Sequence, residues 1–203
     1  SRVGDADRLG WFITSYGHIA SQFVFVLDGE EADARAMIEK LEPSMPAGVE
    51  LIVGAQRLDG DYAAQRNRVQ ALATRPWVLQ VDTDEQLDPA LVRHIGAIVE
   101  DADYWRSKVV GFPRRNVVDG ALSNFYPDIQ HRLNRSDVRF SGRVHEIPTE
   151  RHEWRKVWLC FAGHIEHQLS CDRVIERSRR YEAMEPGAGR PQDEQTLLED
   201  YSA

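Results

Sequence analysis

The most informative stretch of the chain is WVLQVDTDE, residues 77–85. Its first five residues, four of them apolar, predict a buried strand that ends directly before Asp82 and Asp84. Two carboxylates at this spacing can face one cleft, and their hard oxygen atoms suit Mg2+ or Mn2+. Three other Asp-x-Asp triplets occur, but only this one directly follows a five-residue strand. The pattern alone is equally typical of a metal site and of a polar strand end.

On both sides of this strand, short apolar runs alternate with segments of helical periodicity. We predict strands and helices in the following ranges: strands at 11–14, 23–27, 49–53 and 77–81, and helices at 31–41, 62–73 and about 88–99. This alternation is typical of an α/β domain with a largely parallel sheet. Ligands of such sheets gather at the carboxyl ends of the strands, where Asp28 and Asp82 are expected.

The second half of the sequence is more irregular and rich in turns. Short strands are predicted at 109–112, 139–140 and 157–161, followed by a helix at 172–184. A Pro- and Gly-rich stretch breaks this helix, and the last dozen residues are polar and acidic. They are expected to form a short helix or a loose tail.

Composition and charge limit the classes of function. The chain has 203 residues, of which 42% are hydrophobic and 29% charged, as expected for one medium-sized globular domain. A formal net charge of -8 disfavours general binding of nucleic acid. A local basic groove stays open as an interpretation, because Lys and Arg are frequent between residues 106 and 143.

Cysteine content and hydropathy bear on the cellular compartment. Two cysteines, Cys160 and Cys171, are too few for a disulfide framework, so we interpret them as free thiols. No apolar run reaches the roughly 18 residues that span a bilayer. The first residues show no signal-peptide pattern. We expect a cytoplasmic protein without a transmembrane segment, and leave peripheral membrane contact open.

Other polar residues each allow a functional and a structural interpretation. Asp28 suits hydrogen bonding to a base or ribose, or simple turn chemistry. Arg66 suits pairing with a phosphate or with Asp82, or a solvated helix face. Glu146 suits a general base or a structural ion pair, and His167 suits a metal ligand or a structural role. The sequence has no motif of a zinc peptidase, a serine hydrolase or a P-loop protein.

Several segments together resemble family 2 glycosyltransferases. Residues 61–67, DYAAQRN, carry the Arg-Asn pair of that family, and residues 77–85 carry its Trp-containing strand ending in Asp-x-Asp-Glu. Residues 126–133, YPDIQHRL, and 139–146, RFSGRVHE, are similar to the branch that contains lipopolysaccharide-core glycosyltransferases. The match covers roughly residues 22–184, and the order and spacing of its motifs are specific.

The resemblance implies a GT-A type fold, with a Rossmann-like, mostly parallel central sheet flanked by helices and an irregular C-terminal acceptor-side region. One domain would cover residues 1–184. Its nucleotide-binding half would lie at about 10–100 and its acceptor and metal half at about 101–184. Residues 185–203 would form a linker and tail.

The resemblance also implies roles for individual residues. Nucleotide and diphosphate would be held by Asp28, Arg66, Asp82 and Arg132. The metal ligands would be Asp84, Asp82 and His167. Glu146 is the first candidate for the base that deprotonates the acceptor hydroxyl, and Asp128 is the second.

The implied activity is inverting transfer of a sugar from a nucleotide-diphosphate sugar, with Mn2+ or Mg2+ as cofactor. The acceptor would be a glycan, a lipid-linked saccharide, a protein or a modified nucleic acid. One alternative is a metal-dependent hydrolase that uses the same acidic and histidine residues, His145 included. Another is a non-catalytic member of the fold that binds nucleotide or glycan.

Overall fold

The computed structural model of the chain describes residues 6–202 and has a mixed α/β architecture. The α-helices of this part of the chain are α1 (Ala6–Tyr16), α2 (Glu31–Leu41), α3 (Tyr62–Leu72), α4 (Pro89–Tyr104), α5 (Cys171–Met184) and α6 (Pro191–Leu198). Short 3-10 helices lie at Glu42–Ser44, Thr149–His152 and Trp154–Lys156.

The strands form three separate sheets. They are β1 (Gln22–Leu27), β2 (Glu50–Ala55), β3 (Trp77–Leu79), β4 (Glu85–Leu87), β5 (Val109–Val118), β6 (Ala121–Leu122), β7 (Asp128–Arg135), β8 (Phe140–Ser141), β9 (Ile147–Pro148), β10 (Val157–Leu159) and β11 (Ile165–Leu169). β1 and β2 form a parallel pair, and β8 and β9 an antiparallel pair. The other strands form a seven-stranded sheet in the order β3-β7-β5-β11-β4, with β6 and β10 also paired to β5.

The seven-stranded sheet is mixed, which corrects the expectation of a mostly parallel sheet. β10 and β11 run parallel to β5, whereas β6 and β7 run antiparallel to it, and β3–β7 and β4–β11 are also antiparallel. The reason is the second half of the chain, where β7 follows β5 after a short connection and runs back along it. Such short connections join antiparallel neighbours, while parallel neighbours need a long crossover.

A β-bulge interrupts the pairing of β5 with β7. Val110 pairs with Leu133 and Gly111 pairs with His131, so Arg132 has no partner residue on β5. A bulge of this kind bends the strand and redirects a side chain. The guanidinium of Arg132 lies in the protein interior, where it donates to Asp82 and Glu85.

The predicted strand at 11–14 is wrong, because these residues belong to α1. Leu9, Phe12, Ile13 and Tyr16 are buried, and their spacing of three and four residues is helical. Phe12 and Tyr16 pack into the core of the large sheet, whereas Leu9 and Ile13 pack against β1, β2 and α2. α1 therefore joins the two sheets.

The predicted helices α2, α3, α4 and α5 are confirmed. α2 has the predicted bounds, α3 ends one residue earlier than predicted, and α5 begins one residue earlier. α4 begins at Pro89 after the capping residue Asp88, whose side chain accepts a hydrogen bond from the Ala90 N–H, and it continues to Tyr104.

Of the two forms expected for the C-terminal segment, the short helix is observed, as α6, and it packs onto the sheet. Leu197 of α6 is buried together with Val118, Leu169 and Val174. Beyond α6, Asp200 forms a bridge with Ser123. Residues up to this bridge therefore contribute to the folded core.

Two further expectations concern cysteines and membrane spans. Cys160 is buried, Cys171 is exposed, and both are free thiols, as predicted. None of the helices between residues 6 and 202 combines the length and the hydropathy that a membrane-spanning segment requires.

Candidate functional site

A cleft of about 1300 Å³ lies at the ends of β1 and β3. Asp28 follows β1, and the Asp82–Asp84 turn follows β3. The other walls include residues of α1, α3, α4, α5 and β7 and of the loop before β9. All the residues predicted for the site line this cleft: Asp28, Arg66, Asp82, Asp84, Asp128, Arg132, Glu146 and His167.

Two guanidinium groups hold Asp82. Arg66 donates from Nη2 to Oδ1 at 3.1 Å and to Oδ2 at 2.9 Å. Arg132 donates from Nη2 to Oδ2 at 2.6 Å. Burial by itself would raise the pKa of Asp82, but the charges of Arg132 and Arg66 outweigh it and lower the pKa. The carboxylate is therefore charged at neutral pH, and its oxygen atoms face arginines.

Glu85 lies beneath Asp82 and organises the turn after β3. It is 1% exposed and accepts hydrogen bonds from Arg132 Nε at 3.0 Å, Arg132 Nη2 at 2.6 Å and Arg114 Nη1 at 2.8 Å. The Asp82 N–H also donates to it, at 3.1 Å. A buried carboxylate requires such partners, because an unpaired charge in the interior is unfavourable. The ion pairs therefore fix the turn that carries Asp82 and Asp84.

Asp128 is fully occupied by neighbouring donors. Arg114 donates to Oδ2 from Nε at 2.9 Å and from Nη2 at 2.6 Å. Asn116 donates to the same oxygen, and Gln130 donates to Oδ1. Burial would raise the pKa of Asp128, but the Arg114 charge and these hydrogen bonds outweigh it and lower the pKa. These contacts make Asp128 a weak base.

Asp84 pairs with His167 and Arg173. Arg173 Nη2 donates to Asp84 Oδ2 at 2.6 Å, and His167 Nε2 lies 3.4 Å from the same oxygen. Although burial would raise the pKa of Asp84, these neighbours lower it to about 2. His167 is 2% exposed, and burial lowers the pKa of its imidazole, although the Asp84 carboxylate acts in the opposite direction.

Hydrogen bonding selects one tautomer of His167. Asn116 uses its amide Nδ2 as the donor to Asp128, so its Oδ1 atom is an acceptor. This oxygen lies 2.9 Å from His167 Nδ1, which therefore carries the proton. The other ring nitrogen, Nε2, faces Asp84 Oδ2. A carboxylate or carbonyl partner on the far nitrogen is the usual support of a metal-binding histidine.

The predicted metal ligands fit an ion in part. Asp84 Oδ2 and His167 Nε2 lie 3.4 Å apart, somewhat more than the roughly 3.0 Å between adjacent octahedral ligands that are each about 2.1 Å from one ion. Asp82, by contrast, faces Arg66 and Arg132. No group of three or more His, Cys, Asp or Glu residues within 6–202 could hold an ion. Of the three predicted ligands, only Asp84 and His167 therefore lie near enough to each other to share an ion, and Arg173 also donates to Asp84 Oδ2.

Glu146 is positioned by Arg66 and by an unusual backbone. Arg66 Nε donates to Oε1 at 2.6 Å, and Oε2 accepts no hydrogen bond from the described part of the chain. The preceding residue, His145, has a left-handed φ of 56°, a strained conformation that surrounding contacts must hold. His145 Nε2 lies 2.7 Å from the Ala188 carbonyl oxygen, and its ring packs edge-to-face on Tyr181. These contacts fix Glu146 in the cleft with one oxygen atom available.

Asp28 likewise keeps one oxygen atom available. Its Oδ1 accepts a hydrogen bond from the Leu58 N–H at 3.0 Å, and the side chain is exposed at the cleft. The turn interpretation and the ligand interpretation are therefore both compatible with this position.

Sequence reasoning missed Arg114, Asn116 and Arg173. Arg114 and Asn116 lie two residues apart on β5, so their side chains point to the same face of the sheet. The run of three polar residues, Arg114 to Asn116, within an otherwise apolar strand was a usable signal. Arg173 lies one helical turn before Arg177, in the first turn of α5.

No protein-family model and no curated protein gives a match to this chain. Function is therefore inferred from the chemistry of the cleft.

Proposed function

We propose that this protein is an inverting glycosyltransferase of GT-A type, which moves a sugar from a nucleotide-diphosphate sugar to an acceptor hydroxyl. The observation that carries the proposal is the composition of one cleft. It combines strand-end carboxylates, a carboxylate with a free oxygen atom and several guanidinium groups. These are the groups needed to hold a diphosphate, to accept a proton and to stabilise a leaving group.

Glu146 is the proposed base, in preference to Asp128. Its Oε2 is free to accept the proton of the acceptor hydroxyl, whereas both oxygen atoms of Asp128 are occupied by donors. Loss of this proton allows the acceptor oxygen to attack the anomeric carbon of the sugar. The bond from that carbon to the diphosphate breaks at the same time, and its electron pair leaves with the diphosphate oxygen. One base on one side of the sugar gives inversion.

Asp28 and the Asp82 turn are the proposed contacts to the nucleotide. Asp28 presents a free carboxylate oxygen to a ribose hydroxyl or base, as strand-end acids do in nucleotide-binding sheets. Arg66 positions both Asp82 and Glu146, because its guanidinium bonds the two carboxylates. Asp84 and His167 would hold Mn2+ or Mg2+, which when bound neutralises charge on the diphosphate.

A thermal-shift screen tests the proposal. Nucleoside diphosphates and their sugars are added with and without Mn2+ to the wild type, to Asp84→Asn and to the control Asp172→Asn, an exposed acid outside the cleft. A ligand at about 100 times its Kd adds about 2.7 kcal/mol, which is roughly 5–11 °C for a domain of this size. We expect one nucleotide to stabilise the wild type and the control only with Mn2+, and not Asp84→Asn. Absence of any nucleotide effect would overturn the proposal.

Turnover separates the two candidate bases. We expect Glu146→Gln to reduce kcat for release of nucleoside diphosphate by about 10²–10⁴-fold, the range for loss of a general base. Binding of the nucleotide should persist. If Asp128→Asn rather than Glu146→Gln gives this kinetic loss, Asp128 is the base.

The hydrolase alternative is supported less well by the geometry. It requires His145 among the ligands, but His145 Nε2 contacts the Ala188 carbonyl oxygen instead. Asp82 is directed to two arginines. Stabilisation by Mn2+ alone, without any response to nucleotides, would favour the hydrolase.

A further inference from the structure

One face of α5 presents cationic side chains to the cleft. Arg173 and Arg177 are four residues apart, so they lie on the same face of the helix, and Tyr181 follows one turn later. All three line the cleft, whereas Arg179, on another face of α5, does not. The helix begins at a Ser170 cap, whose side chain accepts a hydrogen bond from the helix backbone. The cationic face is therefore built on a regular, anchored element.

Arg177 differs from the guanidinium groups that pair with the carboxylates of the cleft. Arg66, Arg114 and Arg132 each bond to two carboxylates, and Arg173 bonds to one. Arg177 is half-buried, yet it makes no hydrogen bond and no ion pair with any residue in the range 6–202. No carboxylate of the described residues therefore bonds directly to its guanidinium.

The electrostatic surroundings of Arg177 favour an added anion. Burial lowers the pKa of Arg177, and the nearby charge of Arg114 lowers it further, although Asp84 and Asp128 attract it from beyond ion-pair distance. A guanidinium still remains protonated at neutral pH. An isolated charge taken partly out of water is unfavourable unless a counter-charge joins it. Binding of an anion is therefore more favourable beside Arg177 than beside an arginine that already bonds to carboxylates.

We propose that Arg177 binds the diphosphate group of the substrate, with Arg173 beside it on the same face of α5. A guanidinium matches phosphate geometry through paired N–H donors. Arg173 is more than half exposed and bonds to Asp84, so it can turn towards the diphosphate when that group arrives. The proposal rests on the proposed function only in assigning this diphosphate to a nucleotide sugar.

This position also gives Arg177 a part in the reaction. When the bond between the sugar and the diphosphate breaks, its electron pair stays on the diphosphate oxygen, where negative charge increases. A cation already in place stabilises that charge more than it stabilises the ground state. Arg132, assigned to the nucleotide from the sequence, is 5% exposed and bonded to Asp82 and Glu85, so Arg177 is better placed for the leaving group.

Calorimetric titration with inorganic pyrophosphate tests the site without a nucleotide. The titrations use the wild type, Arg177→Gln, Arg177→Lys and the control Arg179→Gln, each in EDTA and in Mn2+. Hydrogen bonds to charged groups contribute about 1.5–3 kcal/mol, so we expect Arg177→Gln to weaken binding by at least about tenfold in both conditions. Arg177→Lys should fall between, because a lysine is a single point charge. Arg179→Gln should bind like the wild type.

The stability of the same variants serves as the folding control. Arg177 makes no internal hydrogen bond or ion pair, so Arg177→Gln should keep the Tm of the wild type or raise it slightly. Unchanged pyrophosphate affinity in a folded Arg177→Gln variant would overturn the inference. So would a wild type that binds no pyrophosphate in either condition.

The outcomes for the site and for the proposed function can be distinguished. If binding of pyrophosphate depends on Arg177 but no nucleotide sugar is turned over, the anion site stands and the transferase proposal fails. If a nucleotide sugar is turned over and Arg177→Gln changes neither kcat nor pyrophosphate affinity, the transferase proposal stands and the anion site fails.

Discussion

Replacing Glu85 by Gln tests whether the buried ion pairs hold the site together. Glu85 lies in the interior with its carboxylate between two guanidinium groups, Arg114 and Arg132. The variant Glu85→Gln keeps the size of the side chain but removes its charge. It also replaces one acceptor oxygen by an NH2 group, which cannot accept from the donors around it.

The expected magnitude follows from the burial and the number of lost contacts. Three hydrogen bonds from guanidinium groups and one from the Asp82 N–H reach this carboxylate. Breaking a buried ion pair on one side typically costs about 3–5 kcal/mol, because the remaining charge stays buried without its partner. For a domain of about 200 residues, this corresponds to a fall in Tm of roughly 6–20 °C.

Urea denaturation of the wild type, Glu85→Gln and the control Asp137→Asn measures the effect. Asp137 pairs with Lys108 at the surface, with 62% of its side chain exposed, so its removal should change the free energy of unfolding by no more than about 1 kcal/mol. If Glu85→Gln is no more destabilising than this control, the buried ion pairs contribute no more to stability than a surface pair. That result would refute the cost expected from burial.

Three further predictions concern stability. Because the folded pKa of Asp84, about 2, lies below the roughly 3.9 of an unfolded aspartate, its contribution is complete above about pH 4. This contribution is lost as the pH falls towards 2. The free energy of unfolding of Asp84→Asn should therefore fall less steeply at acid pH than that of the wild type, as measured by urea denaturation between pH 2 and 6. Gly96→Ala, in open space within α4, should stabilise the protein by about 0.5–1 kcal/mol. Gly163→Ala should destabilise it by about 1–3 kcal/mol, because the added Cβ would lie 2.7 Å from the Leu91 backbone nitrogen. Equal Tm values for the two variants would refute this prediction. Leu197→Ala should cost about 2–5 kcal/mol in urea denaturation, and a negligible loss would show that α6 does not support the core.

Helical periodicity explains why α2 could be predicted from the sequence and α1 could not. α2 was predictable because Ala34, Met37 and Leu41 form one buried helical stripe. Residues 11–14 were predicted as a strand because a four-residue apolar run has no period of its own. The stripe of α1 becomes visible only over its full length.

The polar residues of the site made the two strands that carry them, β7 and β11, hard to predict from the sequence. β7, with the sequence DIQHRLNR, and β11, with the sequence IEHQL, contain charged and polar side chains at positions that an ordinary buried strand fills with apolar ones. Asp128, Arg132 and His167 are among them. The hydrophobic pattern of these strands therefore does not match their buried position in the sheet, as expected where function rather than stability selects the residues.

One partner of Asp82, Arg66, was among the interpretations of the sequence, but Arg132 could not be predicted as the second partner, because its place beside Asp82 depends on pairing between distant strands. The resemblance implied a role for Asp82 in binding metal, but whether arginines or an ion face it depends on how β7 lies against β5. In the observed register Arg114 is opposite Asp128, and the bulge leaves Arg132 without a partner residue. No glycine marks that bulge in the sequence of β7. In a regular ladder, a shift of one residue would turn these side chains to the other face of the sheet. The strand end predicts where the site lies, and the register of β5 and β7 determines which charges meet there.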